Sequence, residues 1–317
     1  NGIEDGIKQE VYLGPASIKE YETKHPKTNE IIRTEWITYQ SIEIQSNDVY
    51  RIQKTHSKIT QLLGEGVLVN SFQDIRSEQK KLFDNKHYAM PPKEGLPVKA
   101  LNDALLSDVL FIEIRPGWQS DVPLHIVSIG CGDHVGFSSK IFVSAGENSH
   151  LDIVESHAGE YESTYFSSCV SNIDIKAGAR LGHYKLQNDT NTSTHLALTQ
   201  TSIEADAVYD NFVMSVGGIL SRNEVRSFIA ASGVDCCVNG AYLGTSNQHI
   251  DNTTFIEHAA EGSKSREVYK GVLADHAKGV FQGKIFVHPE AQKTDGYQMN
   301  RALPVSYTHL RAHETPE

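Results

Sequence analysis

Residues 217–300 decide the fold: GGILSRNEVRSF (217–228), NGAYLGTSNQHIDNTTFIEH (239–258) and SREVYKGVLADHAKGVFQGKIFVHPEAQKTDGYQMN (265–300). Short apolar groups, Val272-Leu273, Val280-Phe281 and Ile285-Phe286-Val287, alternate with Gly, Asn, Gln, Asp and His. That texture suits strands a few residues long separated by sharp corners whose backbone is bonded by side chains. Helical periodicity is absent.

Working back toward the N-terminus, period-two alternation begins at Val109 and continues through FIEIRPG, PLHIVSI, KIFVSAG, LDIVESH, NIDIKAG and LGHYKLQ. Alternation of this kind marks strands with one buried face. A phrase of apolar-x-apolar-x-Ala-Gly followed by a second strand recurs, with 32 residues from Ala145 to Ala177 and 28 from Ala177 to Ala205. Phrases of that length hold more than one strand, as coils of a β-solenoid do when each buries its apolar face by stacking on its neighbours. A sandwich would carry a series of Asn-Gly or Asp-Gly hairpin turns. After residue 109 only Asn239-Gly240 and Asp295-Gly296 occur. The expectation is an all-β parallel solenoid over residues 107–303. A mixed or helical region, 1–106, precedes it, with helix-compatible pieces SEQKKLFDNKHY and ALNDALL.

The formal charge is −11, from 40 acidic and 29 basic residues. This argues against non-specific binding to nucleic acid or anionic membranes, which is driven by clustered Lys and Arg. No apolar run approaches the ~18 residues of a spanning helix, and NGIEDGIKQEVYLG has no signal-peptide pattern. A cytoplasmic protein lacking its start is expected. Four cysteines, Cys131, Cys169, Cys236 and Cys237, make no CxxC pair and read as reduced thiols. Sequons at Asn188, Asn191 and Asn252 would matter only in a secreted chain. No GxxxxGK[ST] loop or GxSxG elbow is present, so nucleotide hydrolysis and serine catalysis have no sequence support.

The amides Asn223, Asn239, Gln248, Asn252, Gln282, Gln292, Gln298 and Asn300 suit corner bonding or stacking between coils. Arg222 with Glu224, and Arg266 with Glu267, read as ion pairs or solvated edges. Among the 15 histidines, His125, His134, His150, His157, His183, His249, His258, His276 and His288 carry imidazole near the strands, but their spacing fits no finger or ribbon. Cys236 and Cys237 would face opposite sides of a strand. His309 and His313 have i, i+4 spacing without the Glu of a zinc protease. No catalytic, cofactor or metal residue is assigned, and the chain is expected to bind no stoichiometric iron or zinc.

SRNE (221–224), NQHIDNTTFIEH (247–258), SREVYKGVLADHAKGVFQGKI (265–285) and AQKTDGYQMN (291–300) resemble the core of the SufB/SufD family, nearer to SufD. RTEWITYQ (33–40) and the phrase 101–129 add weaker likeness. The resemblance implies a right-handed parallel β-helix flanked by helical segments. It implies a non-catalytic scaffold of iron–sulfur cluster assembly that works with a SufB-like sister subunit and a SufC-like ABC ATPase, clusters and ATP being handled by the assembly rather than by a cofactor of this chain. Residues of the shared motif, expected to be structural, are Arg222, Asn223, Asn239, Gln248, Asp251, His258, Tyr269, Lys270, Gly271, Gly283, Gln292, Thr294, Asp295, Gln298 and Asn300.

Beyond Asn300 the family pattern continues with further strands, a Cys-x-His-Gly phrase tied to the cluster site, and a helical tail; here the text reads RALPVSYTHLRAHETPE. The chain is therefore read as C-terminally truncated, with 304–317 a non-family tail. An organellar stroma or matrix is the alternative location if a transit peptide once preceded Asn1. Two other readings remain: an extracellular β-helix polysaccharide lyase or hydrolase using gathered carboxylates, and a purely structural β-solenoid interaction protein.

Overall fold

In a computed structural model of the chain, the residues described are 6–24 and 31–44, as backbone strands, together with 66–71, 95–159 and 163–305. Seven two-strand coils stack into a parallel solenoid. The strands are β4 (Asp108–Ile114), β5 (Leu124–Cys131), β6 (Val135–Ala145), β7 (His150–Gly159), β8 (Tyr165–Ile175), β9 (Arg180–Asn188), β10 (Thr194–Ile203), β11 (Val208–Ser215), β12 (Leu220–Ile229), β13 (Asp235–Gly244), β14 (His249–His258), β15 (Lys264–Ala274), β16 (Lys278–Val287) and β17 (Asp295–Val305). Even-numbered strands form one sheet and odd-numbered strands the other, every neighbouring pair from β4 to β17 being parallel within its sheet.

At the N-terminal end the pattern turns antiparallel. A pair formed by β1 (Gly6–Lys24) and β2 (Ile31–Ile44) adds to β5, and β3 (Val67–Ser71) adds to β4. These strands cover sheet edges that would otherwise present unpaired backbone groups. SEQKKLFDNKHY lies outside the described residues, whereas ALNDALL enters helix α1 (Pro97–Ala104). Proline at its first turn suits a helix start. Val98 packs with Val170 and Leu198 on the outer side of the even sheet, and buried Asn102 donates to the carbonyls of Ser139 (2.9 Å) and Ser168 (3.2 Å), tying two coils together.

The repeat is tighter than the Ala-Gly phrases suggest. Ala145 stacks on Ile175, 30 residues on, rather than on Ala177. Ala177 belongs to the corner: the Asn148 amide donates to its carbonyl (3.0 Å), and the Gly178 amide donates to that of Ala205 (2.8 Å). Gly117, Asn148, Gly178, Asp206, Gly233, Gly262 and Lys293 mark this corner in successive coils, all with positive φ. Left-handed backbone favours Gly, and Asn or Asp tolerate it through local side-chain bonds. Steps along this column run from 27 residues (Asp206 to Gly233) to 31 (Gly117 to Asn148), and coil length in the ladders varies from 26 (Thr194 to Leu220) to 31 (Asp108 to Ser139).

One apolar core runs along the axis, including Ile112, Ile114, Leu124, Ile126, Ile141, Leu151, Ile153, Ile173, Ile175, Leu181, Ile203, Ile229 and Val238. The last expected core residue, Leu303, lies within β17, which continues to Val305. Residues 306–317, including His309 and His313, are outside the described set.

Candidate functional site

Alternation sends residues of one parity inward, and in β7 and β9 that parity includes charge. Leu151 and Ile153 are followed on the same face by Glu155 and His157, and Leu181 by His183, Lys185 and Gln187; all are buried. Facing them on the even sheet are Ser167, Cys169 and Ser171 of β8 and His195 of β10, also buried. Half of each middle coil is thus aliphatic, and the other half is a buried polar lane.

Glu155 is its centre. The His183 ring nitrogen Nε2 lies 2.9 Å from Oε1 and the Ser171 hydroxyl donates to the same oxygen (3.2 Å), while His157 Nε2 lies 3.3 Å from Oε2. Lys185 is its ladder partner in the next coil. Burial would raise the carboxyl pKa, but His183, His157 and Lys185 outweigh burial and hold it well below the usual range. His183 Nδ1 lies 3.1 Å from the Tyr209 hydroxyl, and the Asn211 amide donates to the His183 carbonyl (3.1 Å), which fixes the ring. With Nε2–H donated to Glu155, Nδ1 accepts a hydrogen bond from the Tyr209 hydroxyl. Burial, reinforced by Glu155, pushes the Cys169 thiol up. The ligand atoms of Glu155, His157 and Cys169 all lie within 4.8 Å of one another.

A second knot adjoins it. Asp189 accepts hydrogen bonds from Tyr165 (2.6 Å) and Gln187 (2.8 Å) and lies 3.2 Å from His195 Nδ1. Burial favours the neutral acid, yet His195 and the donors hold this carboxyl below its ordinary range. Burial pushes His195 down to about 4, so its imidazole is neutral at pH 7. Ser167 Oγ also meets Nδ1 (2.9 Å), on the same nitrogen as Asp189, so these three do not form the relay of a nucleophilic serine. His195 Nε2 is buried without a hydrogen-bond partner, and its ring lies edge-on to His157 with centroids 4.9 Å apart.

The motif residues from the sequence lie mostly away from this lane. Arg222 pairs with Asp251 and reaches Glu224 (3.4 Å). Asn223 stacks on Asn252 of the next coil and donates to Ser215 (3.1 Å). Asn239 accepts from the Val268 amide (3.0 Å), and Gln248 accepts from the Thr245 amide at a corner (2.8 Å). Buried His258 meets Ser265 (2.9 Å). Tyr269 packs on Phe281 and against Gly240, while Tyr242 fills the space beside Gly271. Gln298 covers Gly283, Gln292 donates to the Pro289 carbonyl and Thr294 to that of Ala291 (2.9 Å). Lys270, Gln282, Asp295, Gln298 and Asn300 are exposed in the described structure.

One expected pair is corrected. Arg266 and Glu267 are neighbours on β15 and face opposite sides, so no ion pair forms between them. Arg266 lies over the Tyr297 ring (5.7 Å), while Glu267 is fully buried and neither of its oxygens is hydrogen-bonded. Burial pushes its carboxyl up to about 7. Cys236 and Cys237 do face opposite sides, one fully buried and one half-buried.

Sequence reasoning weighed His157 and His183 singly and passed over Glu155, Lys185, Asp189 and His195. The available signal was parity: E-x-H in LDIVESH and H-x-K-x-Q-x-D in LGHYKLQND continue the inward face of their strands.

Fold and site together define a parallel β-solenoid protein with an ionisable lane in its interior. The family described as "SUF system FeS cluster assembly, SufBD core domain" matches residues 128–317, and the chain belongs to it. The iron–sulfur cluster assembly protein SufD of Escherichia coli is 25% identical over 222 residues, covering 67% of this chain and 52% of that protein. A SufBD family iron–sulfur cluster assembly protein of Synechocystis is 22% identical over 266 residues, covering 80% and 58%. The chloroplastic protein ABCI7 of Arabidopsis thaliana is 26% identical over 221 residues, covering 64% and 45%. The chain spans about half the length of these curated relatives.

Proposed function

We propose that this chain is the solenoid core of a SufD-like scaffold subunit in iron–sulfur cluster assembly, acting with a SufB-like sister subunit and a SufC-like ABC ATPase. The match of the SufBD core family over 128–317, laid on a continuous parallel solenoid, carries the reading. Its role is to hold partners and cargo rather than to turn over a substrate, and ATP use belongs to the ATPase. The interior carboxylates support this over a polysaccharide lyase: Glu155 and Asp189 sit inside the coil, where no sugar chain can lie, instead of in a surface cleft. Among the described residues no helix is long and apolar enough to cross a membrane.

The test is co-expression of the chain, extended to the length of the SufD relatives, with tagged SufB-like and SufC-like subunits, followed by assay of iron–sulfur enzymes in cells lacking SufD. Recovery of a three-subunit complex and restored enzyme activity is expected. A folded chain that purifies alone and restores nothing would overturn the reading.

A further inference from the structure

We propose that Glu155, His157 and Cys169 bind one divalent first-row transition metal ion inside the solenoid, of the Zn2+ or Fe2+ class, with His183 positioning the carboxylate. The site goes beyond the assembly reading and does not depend on it.

Carboxylate oxygen, imidazole nitrogen and thiolate sulfur form a mixed set that suits zinc, iron or cobalt, whereas calcium and magnesium take oxygen ligands. A tetrahedral ion with bonds of about 2.0–2.3 Å holds its ligand atoms about 3–4 Å apart. The three donors already lie within 4.8 Å of one another, on two facing strands, so small side-chain rotations close the set. Nothing in the sequence spacing reveals this, because Cys169 reaches the pair from the opposite sheet.

The surroundings provide an independent observation. Oε1 of Glu155 is engaged by His183 and Ser171, which leaves Oε2 directed at His157, and His183 is itself fixed by Tyr209. A ligating carboxylate oriented by a hydrogen-bonded neighbour, itself held by a further group, is the outer arrangement that metal sites use. His195, whose Nε2 is buried without a partner, packs edge-on to the His157 ring.

Charge and ligand count say what kind of site it is. The Glu155 carboxylate and a Cys169 thiolate neutralise a divalent ion, the thiol proton leaving to solvent as the ion enters. Lys185, the ladder neighbour of Glu155 whose positive charge acts on that carboxylate, then opposes loading. Three protein donors leave the fourth position open, unlike the closed four-ligand sites that serve structure alone.

The experiment is anaerobic titration of chelator-treated, reduced protein with Co2+ on a Cys237→Ser background, which removes the half-exposed thiol. One equivalent is expected to bind with tetrahedral d–d absorption and a thiolate-to-cobalt charge-transfer band. Cys169→Ser should lose the band, Cys236→Ser should keep it, and His183→Gln should weaken binding about 10–100-fold with the band in place. Zn2+ at a hundredfold excess over its Kd should raise the Tm by about 5 °C. Absence of a charge-transfer band in the background protein at saturating Co2+ overturns the proposal without recourse to any variant, as does an undiminished band in folded Cys169→Ser.

Discussion

Ile126 and Glu155 occupy the same position of consecutive coils, paired in one parallel ladder, and Lys185 follows Glu155 in the next. Around Ile126 the interior is aliphatic, with Leu124, Ile112 and Ile141. Around Glu155 it is ionised on one side and aliphatic on the other, where Leu151, Ile153, Ile173 and Ile175 continue the core. The two residues share one parallel ladder, although β5 meets antiparallel β1 on its other side. A solenoid ladder bonds main chain to main chain, so it does not dictate what points inward, and an apolar half-coil stacked on apolar neighbours can carry a polar half.

Unfolding in urea can break that comparison. Glu155→Ala should cost the most, about 3–5 kcal/mol, because it leaves His183, His157 and Ser171 buried without the carboxylate that pairs with them. Ile126→Ala should cost about 2–5 kcal/mol through lost burial and a cavity. The double replacement Glu155→Met with Lys185→Met should remain destabilising, since His183, His157 and Ser171 stay buried after losing their shared acceptor. A double variant as stable as the parent would mean that these hydrogen bonds contribute nothing net and that only the uncompensated charge of Lys185 matters.

Glu267 sharpens the contrast, being a buried carboxyl without the partners Glu155 has. Its pKa is raised on folding from 4.5 to about 7. Its favourable contribution is therefore complete below pH 4.5 and is lost as pH rises to about 7, a change on the order of 3 kcal/mol. Glu267→Gln should remove that slope from stability measured across pH 4.5–7.5, and an unchanged slope would show that the carboxyl ionises freely. Glu155 has the opposite sign: its pKa is depressed, so its contribution stands above the unfolded value and fades only as acid approaches the lower folded value.

Gly271→Ala should cost about 1–3 kcal/mol by overpacking, because a Cβ there would lie 2.0 Å from the Tyr242 ring. Arg222→Ala, at a partly exposed pair with Asp251, should cost less than about 1 kcal/mol. Thermal melts of both variants would rank interior shape against surface charge.

Much of the architecture was legible because alternation and recurrence are written locally. FIEIRPG, KIFVSAG and NIDIKAG became strands of one sheet, and PLHIVSI, LDIVESH and LGHYKLQ strands of the other. The coil register was misread at Ala145, where two Ala-Gly phrases look equivalent but sit two residues apart in their coils. The Arg266–Glu267 reading treated sequence neighbours as spatial partners, which a strand forbids. The metal expectation rested on spacing along the chain, and the proposed site opposes it, since spacing does not measure distance between facing sheets.

By itself, the sequence determined that strands would be short, that residues of one parity would face inward, and that corners would fall where Gly, Asn and Asp permit left-handed backbone. Those properties depend on a residue and its near neighbours. Only the tertiary structure decided that Cys169 meets Glu155 and His157, that His183 is braced by Tyr209, and that Glu267 has no hydrogen-bonded partner. These meetings depend on the length of each coil and on closure of one sheet over the other, so the physical reason lies in register accumulated across many residues rather than in any one phrase.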